Sequence, residues 1–260
     1  MQRVKLLILG GSGEAASLSR TFASDPRFDA TVSLAGVTEQ PVSLPNPVRR
    51  GGFGGADGLA RYLTDNCIGL VIDATHPFAV GMKANAIEAC KHARVRLLAL
   101  RRPPWCPSDD DRWIMVDDLD AAAEAIGNEP RRVFLTTGRK ELAPFVRAPQ
   151  HQYLVRSVDA PEPESLPPNA ELIVARGPFA ENDERQLLEA HRIEFVVTKN
   201  SGGTGSVAKL AAARKLGVPV IMVRRPKLPD AEGDESVATV DEALAWLDAH
   251  HAGTSARLGV

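Results

Sequence analysis

The stretch Val4-Lys5-Leu6-Leu7-Ile8-Leu9-Gly10-Gly11-Ser12-Gly13-Glu14-Ala15-Ala16 decides the fold. Its short aliphatic run, ended by glycines, reads as a buried strand. Gly11-x-Gly13-x-x-Ala16 then opens a helix, the strand–turn–helix setting that a dinucleotide-binding loop requires. Glycines there let the backbone turn tightly and approach a pyrophosphate, whose charge is met by helix N-terminal amides. Gly10, Gly11, Ser12, Gly13, Glu14 and Ala15 are therefore candidate cofactor-binding residues.

Outward from this loop, aliphatic runs keep alternating with helical stretches. Strands are expected at 4–9, 30–34, 70–74 and 95–100, then at 133–136, 153–156, 172–175, 195–198 and 218–223. Helices are expected at 14–23, 56–66, 81–93, 118–126, 182–191 and 206–216, with Asp118 and Ser206 as N-terminal caps. Strands this apolar, without strict alternation, suit a parallel sheet covered on both faces.

The chain also resembles itself. Lys91-His-Ala-Arg-Val-Arg-Leu-Leu-Ala-Leu-Arg-Arg-Pro103 runs parallel to Arg214-Lys-Leu-Gly-Val-Pro-Val-Ile-Met-Val-Arg-Arg-Pro226, offset by 123 residues. The same offset lays Ala74-Thr75-His76 over Val197-Thr198-Lys199, each at a strand end before a helix. These observations predict an α/β protein of two Rossmann-like parallel-sheet lobes. The expected bounds are 1–102 for the cofactor-binding lobe and 103–250 for the second, with 251–260 as a flexible tail.

Composition narrows the partners. With 31 basic and 33 acidic residues among 260, nothing attracts nucleic acid or an anionic membrane globally. No apolar run is long enough to span a bilayer, and the N-terminus reads as a strand rather than a signal peptide, so a cytoplasmic location is expected. Three cysteines, never in C-x-x-C spacing, argue against a disulfide framework or a zinc site, and no metal is expected.

Several loops carry candidate chemistry. After the second strand no acid appears until Glu39, which removes repulsion toward a 2′-phosphate and favours NADP over NAD. Thr38 is a candidate hydrogen-bond donor there, with Arg49 or Arg50 as a source of charge. Thr75, His76 and Pro77 lie where ligands bind in open α/β sheets. In the second lobe, Thr137, Gly138, Arg139 and Lys140, together with Lys199, Ser201, Gly202 and Gly203, set amides and hydroxyls beside cations, which suits anionic groups. His76 and Lys199 are the candidate catalytic groups, although solvent or substrate can also supply a proton.

Taken together, these residues resemble the precorrin-6A reductase family. The resemblance runs from Gly10-Gly11-Ser12-Gly13-Glu14-Ala15 through Gly51-Gly-Phe-Gly-Gly55, Asp73-Ala-Thr-His-Pro-Phe-Ala79 and Arg102-Pro-Pro-Trp105. It continues through Thr136-Thr-Gly-Arg-Lys-Glu-Leu142, Arg176-Gly-Pro-Phe179 and Thr198-Lys-Asn-Ser-Gly-Gly203. One departure is Val37, which stands where the family pattern has Arg. The resemblance implies NADPH-dependent reduction of one double bond of the precorrin-6A macrocycle, giving precorrin-6B in cobalamin biosynthesis. It also implies two lobes with cofactor and polycarboxylate macrocycle in a cleft between them. Cobalt-precorrin-6A as substrate, a non-catalytic dinucleotide-binding protein and a nucleotide-dependent transferase are the alternatives.

Overall fold

A computed structural model describes residues 3–36, 43–227 and 235–256. The chain divides into two compact units, Met1–Pro103 with Lys227–Val260, and Pro104–Pro226.

The first unit begins with β1 (Val4–Leu9), α1 (Gly13–Phe22), β2 (Phe28–Leu34), β3 (Val48–Arg50) and α2 (Gly55–Asp65). It continues with β4 (Leu70–Asp73), α3 (Val80–Ala93) and β5 (Arg96–Leu100). The second unit holds β6 (Trp113–Val116), α4 (Leu119–Ile126), β7 (Arg132–Leu135), α5 (Ala143–Val146), β8 (Gln152–Ser157) and β9 (Ala170–Val174). It ends with α6 (Glu181–Ala190), β10 (Phe195–Lys199), α7 (Ala208–Leu216) and β11 (Val220–Val223). Finally β12 (Glu235–Val237) and α8 (Val240–Ala256) return to the first unit.

Each unit contains one six-stranded sheet, ordered β12-β5-β4-β1-β2-β3 and β6-β11-β10-β7-β8-β9. Every pairing is parallel. Both are doubly wound: β1 lies between β2 and β4 in the first sheet and β7 between β8 and β10 in the second, and the order reverses there to create a switch point for ligands. The unbroken apolar runs follow from this layering. Leu6 and Ile8 of β1 join the core with α1 and α8, while Leu7 and Leu9 join the core with α2 and α3.

The first sheet takes its sixth strand, β12, from chain that follows the second unit, whereas all six strands of the second sheet lie within Pro104–Pro226. β6 follows β5 in sequence but pairs with β11, and β12 follows β11 but pairs with β5. The link is secured by Arg101 N donating to Val237 O at 2.7 Å and by Ala243 and Leu247 of α8 in the first unit's core. This corrects the expected second lobe of 103–250, because 227–250 belongs with the first unit. The tail expected from residue 251 is also revised, since α8 runs to Ala256. Strands β3, β6 and β12 were absent from the expected set; β3 and β12 are only three residues long and carry polar side chains. Asp118 does cap α4, accepting from Ala121 N at 2.8 Å. Ser206 does not cap α7, where Val207 takes the cap position without a side-chain bond.

Candidate functional site

At the first switch point the loops after β1 and β4 are stitched together. Ser12 Oγ accepts from Ala15 N at 3.1 Å, which caps α1, and donates to Ala74 O at 2.6 Å. Gly10 is confined, because a Cβ there would lie 3.0 Å from Val32 Cγ1 and 3.1 Å from Leu34 Cδ2. Gly11 has φ +107°, a conformation that a side chain would strain. At Gly13 an added Cβ meets nothing within 4 Å. Gly11 and Gly13 are exposed, so the helix start is open to a ligand, and these residues fit a dinucleotide pyrophosphate.

Glu14 puts a carboxylate in the first turn of α1, where it would repel that anion. Arg102 Nη1 lies 2.6 Å from Glu14 Oε2 and compensates the charge. Burial raises the Glu14 carboxyl, but the Arg102 hydrogen bond and charge, with hydrogen bonds from the Glu14 backbone and Ser12, together outweigh burial and hold it below the ordinary carboxylate range. Ala15 is buried and supplies its amide to the cap.

The loop after β4 is built on a buried ion pair. Asp73 accepts from Thr75 N at 3.0 Å, from Thr75 Oγ1 at 2.6 Å and from Lys83 Nζ at 3.0 Å. The Thr75 hydroxyl hydrogen is therefore committed to the turn. His76 follows, with Nδ1 accepting from Phe78 N at 3.3 Å, which assigns the neutral ring's hydrogen to Nε2. Pro77 holds the turn before α3. Thr38 lies outside the described residues. Arg49 is occupied, since its guanidinium stacks 3.7 Å from the Phe53 ring centroid and donates to Gly51 O and Gly52 O.

The second unit's switch point is furnished with charges. Thr137 is buried and, among the described residues, its hydroxyl has no hydrogen-bond partner. Gly138 has φ +115° and turns the chain. Arg139 donates to Ala160 O at 3.1 Å, while Lys140 is exposed. Lys199, at the end of β10, is in close contact with the Glu141 carboxylate and so joins this loop to the loop after β7. Gly202 and Gly203, at φ 67° and 71°, fold the chain back so that Gly203 O accepts from Trp105 Nε1 at 2.8 Å. Asn200 and Trp105 bond reciprocally, and Arg225 grips Asn200 O at 2.9 Å and Ser201 O at 3.1 Å.

Sequence reasoning therefore located both strand-end loops, but it missed what supports them. The unforeseen groups are Lys83, the buried Arg156–Glu184 pair and the buried Lys209. Arg156 and Glu184 are 28 residues apart, and no local pattern joins them.

The family profile described as "Precorrin-6x reductase CbiJ/CobK" matches residues 5–248. A precorrin-6A reductase from Sinorhizobium sp is 49% identical over 244 residues, covering 94% of this chain and 92% of the relative. One from Rhodobacter capsulatus is 48% identical over 248 residues, covering 95% and 97%. The solved structure titled "CobK precorrin-6A reductase" superposes with a TM-score of 0.89 at 48% identity, covering 95% of this chain and 97% of that one. With a profile match spanning both units and relatives near half-identical over almost their whole length, this chain belongs to the precorrin-6x reductase family.

Proposed function

We propose that the protein reduces one double bond of precorrin-6A to give precorrin-6B, with NADPH as the hydride donor. Its family makes it an oxidoreductase of cobalamin biosynthesis. The observation that carries the cofactor reading is the capped glycine loop, where a side-chain atom added at Gly13 would enter open space. When bound, the dinucleotide supplies the hydride, so the chain's part is to bind, orient and assist a proton.

At the pyrophosphate the first unit does this with backbone amides. Gly11, Ser12 and Gly13 present amides to the pyrophosphate, and the Glu14–Arg102 pair keeps that surface free of net charge. Ser33-Leu34-Ala35-Gly36 at the end of β2 contains no acid, which suits a 2′-phosphate. The second unit offers Thr137, Lys140, Arg139 and Lys199 to the carboxylates of the macrocycle. His76, with its Nε2 hydrogen, and Lys199 are the groups to test as proton donors. Among the described residues, no helix is long and apolar enough to cross a membrane.

Absorbance at the nicotinamide band tests this reading. NADPH should be consumed only when precorrin-6A is present, and binding without turnover overturns the proposal. His76→Ala and Lys199→Ala, assayed for turnover separately from NADPH affinity, identify the donor by a kcat loss of roughly a hundredfold. Unchanged turnover removes that residue from the chemistry.

A further inference from the structure

The last residue of β3, Arg50, is an exposed cation beside the end of β2. In the parallel pairing of these strands Ser33 lies opposite Arg49 and Leu34 opposite Arg50. Residues opposite one another share a face, and successive residues alternate. Leu34 packs on the core that includes Ala15, Leu18 and Phe22 of α1, so Arg50 belongs to the α1 face. Arg49 belongs to the other face, where it stacks on Phe53 and Tyr62 and donates to two carbonyls. Arg50 is exposed and, among the described residues, holds no ion pair. Its place is fixed by the next residue, since Gly51 N donates to Leu34 O at 2.9 Å.

We infer that Arg50 receives the 2′-phosphate of NADP and sets the preference for NADP over NAD. The inference rests on the dinucleotide reading above and adds the residue that discriminates. In a sheet of this order the adenosine ribose lies over the end of the second strand, where an acid would select the free 2′-hydroxyl. Here that end carries no acid, and the neighbouring strand presents a planar guanidinium whose fork matches phosphate oxygens.

Titration of the full-length protein with NADPH, NADH and 2′,5′-ADP decides the matter. Arg50→Gln should weaken NADPH and 2′,5′-ADP by roughly tenfold to a hundredfold and leave NADH unchanged. Arg50→Lys should restore part of the loss. Equal weakening of NADPH and NADH, or no change in either, overturns the assignment. Failure of the wild-type protein to bind either nucleotide would instead overturn the dinucleotide reading, an outcome visible before any variant is made.

Discussion

The two units share a strand order and differ in how their switch points meet charge. In the first, the cations beside the glycine loop and the loop after β4 are answered by acids, Lys83 by Asp73 and Arg102 by Glu14, while Arg50 stands apart at the end of β3. Backbone amides and an open glycine cradle then remain to meet a ligand. In the second, Lys140 is exposed and carries no ion pair among the described residues, and the Lys199–Glu141 contact ties two loops together. One topology thus supports two kinds of anion recognition. Amides suit a pyrophosphate held close to the backbone, whereas long cationic side chains suit carboxylates spread around a large ring.

The supporting ion pairs differ as well, and the largest predicted effect follows from that difference. Arg156 of β8 and Glu184 of α6 are both buried, with Arg156 Nη2 donating to Glu184 Oε2 at 2.8 Å. The Arg156 guanidinium also lies 3.7 Å from the Phe179 ring centroid and 4.8 Å from that of Phe134. Glu184→Ala strands a buried cation and should cost the second unit about 3–5 kcal/mol. Replacing both partners, Arg156→Met with Glu184→Leu, should recover most of that loss. Hydrogen exchange read unit by unit checks this, because loss of protection should fall on β7, β8 and α6 and spare the first unit. A loss below about 1 kcal/mol would mean that the pair is not what holds β8 to α6.

A somewhat smaller effect tests the return of the chain to the first unit. Leu247 of α8 is buried in the first unit's core with Leu98, Leu100 and Phe28. Leu247→Ala should cost about 2–4 kcal/mol through the cavity it leaves. The change lies after the second unit in sequence, yet protection should fall in β1, β2 and β5 of the first. Loss of protection in β10 and β11 instead would return residues 227–250 to the second lobe.

That return marks where sequence reasoning stops. The 123-residue offset reveals two copies of one plan, because Arg-Arg-Pro after a matching strand is local and readable. It does not say which copy each later strand joins, since pairing is decided by tertiary contact. β12 is Glu-Ser-Val, too short and too polar to register as a strand until it lies beside β5. The switch-point loops were legible for the opposite reason. Glycines at Gly11 and Gly138 are demanded by the local backbone, at φ +107° and +115°, and Thr75 hydrogen-bonds Asp73 only two residues away. Arg50 lies between these cases: its charge is plain in the sequence, but its freedom appears only once Arg49 is seen stacked on Phe53.

The smallest predicted effect contrasts the buried lysine of each unit. Lys83 meets a carboxylate, whereas Lys209 donates to the carbonyl of Ser206 at 2.8 Å, with its Nζ 5.2 Å from the Trp105 ring centroid. Burial first, then repulsion from Arg156, outweighs the attraction of Glu184 and lowers the Lys209 pKa to about 7. The sign follows from proton counting. An unfolded lysine keeps its proton up to about pH 10.4, so between about 7 and that value the unfolded chain binds more protons and stability rises with pH. At lower pH both states are protonated and the cost of burying the charge is fully felt. Lys209→Met removes that cost, so its urea midpoint relative to wild type should be highest near pH 6 and fall by pH 9. A difference independent of pH would show that Lys209 does not titrate in this range. Lys83→Met should behave in the opposite sense, destabilising the first unit, because it leaves Asp73 buried without its cation.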